Sequence, residues 1–314
     1  MSSSLTYFFI KKLVYGIIVV LFVTILLFAI LKSIPADPIE VMAGERVTGE
    51  RLRELRAQWG LDKPVYLQYF YWLNNILHGN LGKSIVTKQP VSFLILSRLP
   101  YTLALMLSSL FLSYLVGIVL GIICVVKRYR LLDSIINNAS TVLYSIPSFW
   151  LALMLIIVFA YKLGLFPISG YQGPESLVLP VLSLSIPWIA RTVRVVRTEL
   201  LEIISQDYIV TAIAKGLSPW RVILVHALRP ALIAISALFF LDLPWVLGGS
   251  VIVETVFGYP GLGGLLYKAV TRLDYPVIMG IILLIAILTV ISNTLGDIVV
   301  GIIDPRVKTR RMRS

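Results

Sequence analysis

From Leu13 to Leu31 the chain runs through nineteen residues without one charged side chain. Such a run matches the roughly 20 residues that a helix needs to cross the hydrocarbon core of a bilayer. Inside hydrocarbon no water can satisfy backbone N–H and C=O groups, so the segment has to bond to itself as a helix. Lys11 and Lys12, just before it, resemble the charged region of a secretion signal. Signals have shorter apolar runs and end at a small-residue cleavage site, which is not found after Leu31. The segment is therefore expected to stay in the mature protein as a membrane span.

Five further candidate spans follow, each able to satisfy its backbone hydrogen bonds as a helix. The second runs from Leu99 to Val126 and the third from Ser134 to Tyr161, both uncharged. The fourth, Ser176 to Ala190, is short and carries Pro180 and Pro187, so it must kink or continue into its charged flank. The fifth, Ala231 to Phe257, contains Asp242, Pro244 and Gly248-Gly249, and the sixth, Tyr275 to Ile303, contains Asn293 and Asp297. The predicted fold class is all-α integral membrane with six transmembrane helices. Composition agrees: 58% of residues are apolar and 14% charged, with mean hydropathy +0.90, whereas soluble domains carry about 25% charged residues.

The formal charge of +12 is spread over the ends of the apolar runs, not gathered into a stripe with stacking aromatics, which speaks for membrane topology and against nucleic acid. With the N-terminus inside, the cytoplasmic pieces hold sixteen Lys and Arg while the short outer loops hold Lys162, Lys268 and Arg272. Both termini are thus predicted to be cytoplasmic. The outer segment Lys32 to Arg98 holds nine basic residues, but at 67 residues it is too long for the rule to apply. Two helical patterns within it, Thr48 to Trp59 and Val65 to Leu77, predict a structured extracytoplasmic insert over the mouth of the bundle. The expected organisation is residues 1–97 as first span plus insert, 98–303 as the main membrane domain, and 304–314 as a basic cytoplasmic tail.

Several chemistries lack their residues. Gly79-Asn80-Leu81-Gly82-Lys83-Ser84 resembles the end of a phosphate-binding loop, but Leu77 stands where the pattern needs its first glycine and no strand precedes it. Cys124 is the one cysteine, and His78 and His226 are the two histidines, so neither a disulfide within the chain nor a metal hydrolase motif is available. No catalytic, cofactor or metal site is expected. An ion-coupled secondary transporter, the rival class, would call for inverted repeats with paired broken helices, and none is visible.

Between the fourth and fifth spans the chain reads Ser205-Gln-Asp-Tyr-Ile-Val-Thr-Ala-Ile-Ala-Lys-Gly216-Leu-Ser-Pro-Trp-Arg-Val-Ile-Leu-Val-His-Ala-Leu-Arg-Pro230. Ser205 as cap, Asp207 in the first turn, Lys215 in the last and Gly216 in the left-handed position define one short helix. Ser218 as cap, Pro219 at the first position and Arg229 near the end define a second. A loop that only reconnects two spans needs no such order. Tyr208, Thr211 and Ala212 share a side of the first helix and suit close approach of a partner; the alternative is an amphipathic helix resting on the headgroups.

This stretch resembles the cytoplasmic EAA loop of binding-protein-dependent ABC importer permeases, in the form D-Y-x-x-T-A-x-A-K-G-L-S of the dipeptide, oligopeptide and nickel branch. Asp207, Tyr208, Thr211, Ala212, Ala214, Lys215, Gly216 and Leu217 carry the match, followed by Ser218, Val222 and His226 to Arg229. Val210 stands where the general motif has its leading Glu. The likeness extends along the chain through Pro35-Ala36-Asp37-Pro38, Gly60 to Pro64, Gly79 to Ser84, Ser145 to Trp150, Ile168 to Tyr171, Glu254 to Phe257, Pro260 to Gly263 and Asp304 to Arg306. It implies the type I ABC importer permease fold in a prokaryotic plasma membrane. It further implies as partners a second, similar permease, two cytoplasmic ATPases that hydrolyse the ATP, and an extracytoplasmic binding protein. Peptides are the implied cargo, with oligosaccharides or nickel as alternatives within the family.

Intramembrane polar residues face the bundle interior or water, because a carboxylate in a span costs about 2.5 to 3.5 kcal/mol on insertion scales. Asp242 and Asn293 are the candidates for lining a passage. For Asp242 a bond to a neighbouring helix is the competing reading, and Asp297 near the inner end suits a pair with an arginine. Arg191, Arg194 and Arg197 are read as snorkelling anchors.

Overall fold

The computed structural model describes residues 2–34, 49, 62–126 and 131–303. The expected helix Thr48 to Trp59, apart from residue 49, and the tail 304–314 lie outside the described residues. The described chain is helical: α1 (Ser2–Ser33), α2 (Val65–Leu77), α3 (Val91–Val126), α4 (Leu131–Ser145), α5 (Ser148–Leu155), α6 (Val178–Ile204), α7 (Asp207–Ala214), α8 (Leu228–Val256), α9 (Leu262–Thr271) and α10 (Tyr275–Ile303). Among the described residues, five segments are long and apolar enough to cross a membrane: Ile10–Ser33, Val91–Val126, Pro174–Ile204, Pro219–Gly248 and Tyr275–Ile302. The pair α4 and α5 brings the number to six when it is counted as one span.

That pair departs from the single uncharged helix expected over Ser134 to Tyr161. Its arms meet at 97°. Pro147, at φ −63° and ψ 134°, lacks an N–H and pushes Ile146 out of the helical region, so the helix stops at Ser145 and restarts at Ser148. Beyond α5 the backbone widens into a π-helical stretch, Ile156–Lys162, closed by Leu163 N–H donating to Val158 O at 3.1 Å. The fourth span resolves its shortness by extension: α6 continues past Ala190 through the arginine-bearing flank to Ile204.

The residues form two compact units, Met1–Thr102 with Pro260–Val290, and Leu103–Tyr259 with Ile291–Ser314. In the first, Val91 and Ile95 at the start of α3 pack with Leu262 and Ala269 of α9 and Val277, Ile278 and Ile281 of α10. Gly280 allows this approach, since a Cβ there would sit 2.8 Å from Val91 Cγ1. Buried Asp274 then ties down the turn before α3. Its carboxylate accepts from Ser84 Oγ at 2.5 Å and from the N–H groups of Ile85 at 3.0 Å and Val86 at 3.4 Å. In the Gly79 to Ser84 stretch that resembles a phosphate loop, Ser84 Oγ and the N–H groups of Gly79, Asn80, Gly82 and Ser84 are bonded within the chain. Thr102 Oγ1, on α3, accepts the N–H of Leu262 at 2.8 Å and satisfies a free donor at the start of α9.

In the second unit, α3 and α6 approach through glycines four residues apart. A Cβ on Gly117 would lie 2.5 Å from Thr192 Cβ, and one on Gly121 would lie 2.7 Å from Val196 Cγ1 and 3.2 Å from Val193 O. Membrane helices lack a hydrophobic driving force between them and rely on such close van der Waals contact. Gly121→Leu is therefore expected to lower stability by about 1 to 3 kcal/mol or more. Gly248→Leu, where nothing lies within 4 Å of the added Cβ, is expected to have little effect. Thermal unfolding of the detergent-purified variants checks this, and equal midpoints for the two would dismiss the α3–α6 packing account.

Candidate functional site

The segment 205–230 is built from local rules, with three departures from the expected layout. First, neither serine caps through its side chain: Ser205 ends α6, its Oγ donating to Glu202 O at 2.7 Å, extended Gln206 precedes α7, and Ser218 precedes Pro219–Arg221 without a side-chain capping bond. The C-terminus follows expectation. Gly216 sits at φ +82°, its N–H donates to Ile213 O at 2.9 Å, and Leu217 N–H reaches Ala212 O at 3.4 Å. These are the paired bonds of a glycine-terminated helix, which a side chain at position 216 would strain.

Second, the following helix does not end near Arg229. Pro219–Arg221 leads into a π-helical turn, Val222–Ala227, which runs into α8 without a break. Pro230 cannot donate, and its ring crowds the carbonyl four residues back, at His226. The widened turn contains that carbonyl. The loop is thus one short helix and one turn, followed by the first turns of a long helix.

Third, Ala212 does not share an open face with Tyr208. Ile209 and Ala212 are buried, as α7 packs on the end of α6 and the turn 222–227. The exposed face carries Tyr208, Val210 and Ile213, each about half exposed, with Asp207, Thr211, Ala214 and Lys215 beside them, and Trp220 beyond the Leu217 turn. Val210 and Ile213 stand about 60° apart around α7 and Tyr208 about 140° or more from both, so exposed apolar side chains flank the polar ones on a rigidly terminated helix, an arrangement suited to being covered by another protein surface.

Higher in the same unit, Asp242 on α8 is 2% exposed and bonded within the chain. Tyr114 Oη on α3 donates to its Oδ2 at 2.6 Å, and Arg191 Nη1 on α6 pairs with the same oxygen. The Arg191 guanidinium also lies 5.0 Å from the Trp188 ring centroid. Of the two readings for Asp242, its placement is that of a link between helices. Asn293 is exposed on α10, and Asp297 is half-buried one turn further on.

The arginines are not free anchors. Arg197 makes a two-pronged bond to Asp133 on α4, at 2.9 and 3.0 Å, while Arg194 is exposed. At about 100° per residue, positions 191 and 197 diverge by about 120° around α6, so each reaches a different neighbour. Tyr114 and Asp133 were outside the sequence reading, since neither lies near its partner in the chain.

Removing one partner of such a pair strands a buried charge, at about 3 to 5 kcal/mol. Arg191→Met is accordingly expected to destabilise the purified chain more than Arg191→Met combined with Asp242→Leu. Unfolding midpoints in a double-mutant cycle test this, and simple additivity would refute the coupling.

Comparison with known proteins fits this architecture. Residues 117–309 match the family model of the binding-protein-dependent transport system inner membrane component, and residues 5–106 match the N-terminal model of the same systems. The oligopeptide transport system permease protein AppB of Bacillus subtilis is 38% identical over 312 residues, covering 96% of this chain and 99% of its own. The di/tripeptide permease DppB of Pseudomonas aeruginosa is 38% identical, with 92% and 95% covered, and the dipeptide permease DppB of Escherichia coli is 34% identical with the same coverage. A chain from the inward-facing MetNI methionine ABC transporter superposes with a TM-score of 0.57 at 23% identity, over 68% of this chain and 97% of that one. With bundle, loop and full-length likeness in agreement, the chain belongs to the inner-membrane components of binding-protein-dependent transport systems, the permease subunits of ABC importers.

Proposed function

We propose that the chain is one of two similar permease subunits that together enclose the passage of a peptide importer in a prokaryotic plasma membrane. The termini and the 205–230 loop lie in the cytoplasm, and the segment after the first span lies outside. The bias of sixteen basic residues against three in the short outer loops supports this orientation. Residues 98–303 form the membrane domain proper, 1–97 the first span and insert, and 304–314 a basic tail. The names of the full-length relatives support peptides as cargo.

Energy comes from two cytoplasmic ATPase subunits, with no nucleotide or other cofactor bound by this chain, and an extracytoplasmic binding protein delivers the ligand. The observation that carries the coupling role is the apolar face that α7 leaves open. Tyr208, Val210 and Ile213 enter a cleft of one ATPase, with Asp207, Thr211, Ala214 and Lys215 around them. Ala212, Gly216 and Leu217 keep the helix firm. Because α7 is joined to α6 and, through the 222–227 turn, to α8, movement of the ATPase is passed to two spans at once. Asn293, exposed on α10, is a candidate for lining the passage, and Asp242 serves it by fixing Arg191.

In an importer reconstituted with all its subunits, Tyr208→Glu and Ile213→Glu are expected to lower ATP hydrolysis stimulated by the loaded binding protein, and uptake, by about tenfold or more, equivalent to ~1.4 kcal/mol of docking energy. The variants should keep their unfolding midpoints, since both residues are exposed. Gly216→Leu should lose coupling and about 1 to 2 kcal/mol of loop stability together. Full stimulation in the two glutamate variants would remove the coupling role. Uptake of labelled short peptides tests the cargo: transport of an oligosaccharide or nickel instead would overturn peptides and leave the permease assignment standing.

A further inference from the structure

Helix α2 (Val65–Leu77) contains five aromatic residues and no charge: Tyr66, Tyr69, Phe70, Tyr71 and Trp72. One face turns to the rest of its unit. Tyr69 packs edge-on against Phe28 of α1 with ring centroids 5.5 Å apart, and Trp72 joins the core formed by α1, α3, α9 and α10. The opposite face is uncovered, with Tyr66 64%, Phe70 61% and Leu77 77% exposed. A helix in water does not normally hold such a patch open.

The depth of α2 along α1 is fixed by a hydrogen bond. Tyr69 Oη and Thr24 Oγ1 are 3.0 Å apart, and Thr24 is 1% exposed. The uncharged run of α1 ends at Lys32. Thr24 lies eight residues earlier, about 12 Å down the helix at ~1.5 Å per residue, and Phe28 lies about 6 Å down. The Tyr69 side chain therefore meets α1 about 6 to 12 Å below the end of its uncharged run, close to the roughly 5 to 10 Å to which interfacial helices bury their apolar face. On the side of α1 turned away from Thr24 and Phe28, Phe22, Ile25, Leu26 and Ile30 are half or more exposed. Lysines stand at the rim: Lys32 Nζ lies 5.8 Å from the Phe28 ring centroid, and Lys63 Nζ lies 4.2 Å from that of Tyr71. Their stems can run along apolar surface while the ammonium groups reach phosphate. Tyr and Trp are also the residues favoured at this level of a bilayer.

We propose that α2 is an interfacial helix embedded in the outer leaflet, with Tyr66, Phe70 and Leu77 against phospholipid acyl chains, rather than a water-exposed lid over the bundle. The leaflet rests on the orientation proposed above; the depth does not.

A nitroxide attached at Tyr66→Cys or Phe70→Cys, in the complete importer reconstituted into phosphatidylcholine and phosphatidylglycerol vesicles, reads the surroundings directly. Cys124 is fully buried, and exposed cysteines of the other subunits are replaced before labelling. Both positions are expected to collide several-fold more with oxygen, which concentrates in acyl chains, than with water-soluble nickel ethylenediaminediacetate, and Gln89→Cys to give the reverse. Nickel-dominated collisions at 66 and 70 would overturn the proposal in favour of a water-exposed lid. Low collision with both reagents would overturn it in favour of a covering protein. Labelling of Gln89→Cys by a membrane-impermeant maleimide on intact cells tests the leaflet separately. Labelling only in opened cells would overturn the outer placement and the orientation, while the oxygen result would still report lipid contact.

Discussion

A guanidinium and a carboxylate inside a bundle of spans are each costly alone, and pairing them is the condition on which the second unit depends. Arg191 and Asp242 meet that condition, with Tyr114 supplying a second donor to the same carboxylate oxygen. The pair also joins the two helices on either side of the 205–230 loop. Arg191 lies thirteen residues before the end of α6 and Asp242 fourteen residues into α8, so both arms measure about 20 Å at ~1.5 Å per residue. Loop, α6, ion pair and α8 therefore make a closed frame. A frame transmits a displacement at one corner to the others, whereas two free arms would absorb it by splaying.

The first unit solves its polar problem with neutral donors around one carboxylate. Asp274 gathers Ser84 Oγ and two backbone N–H groups, which gives the Gly79 to Ser84 stretch a structural reason to end in serine. Thr102 supplies the first N–H of α9 with an acceptor from a different helix. Both devices bring segments more than 150 residues apart in sequence into register. Both are too small to disturb the apolar packing of Val91, Ile95, Val277 and Ile281 around them.

What the sequence made legible was whatever is decided within a few residues. The bounds of Val65–Leu77, the left-handed Gly216 and the first-turn Pro219 follow from local chemistry and reappear in the structure. Five of the six expected spans were legible because length and charge alone decide them, whereas the bend at Pro147 was not, since proline inside apolar helices is often accommodated. Capping by Ser205 failed because the same hydroxyl could serve the helix before it as well as the one after. The arginines were misjudged for a different reason. Spacing along α6 gives their directions around the helix but not what waits there, and Asp133 and Asp242 lie 64 and 51 residues away.

The widened turn at Val222–Ala227 sets an angular phase. A π-helical turn holds one residue more than the α-helical turn it replaces, so everything beyond it is rotated by about 100° relative to an unbroken helix starting at Pro219. The direction in which Asp242 points is thereby set apart from the direction in which the loop presents Tyr208. Adding or removing this single residue of winding would turn the face that carries Tyr208 relative to the buried pair.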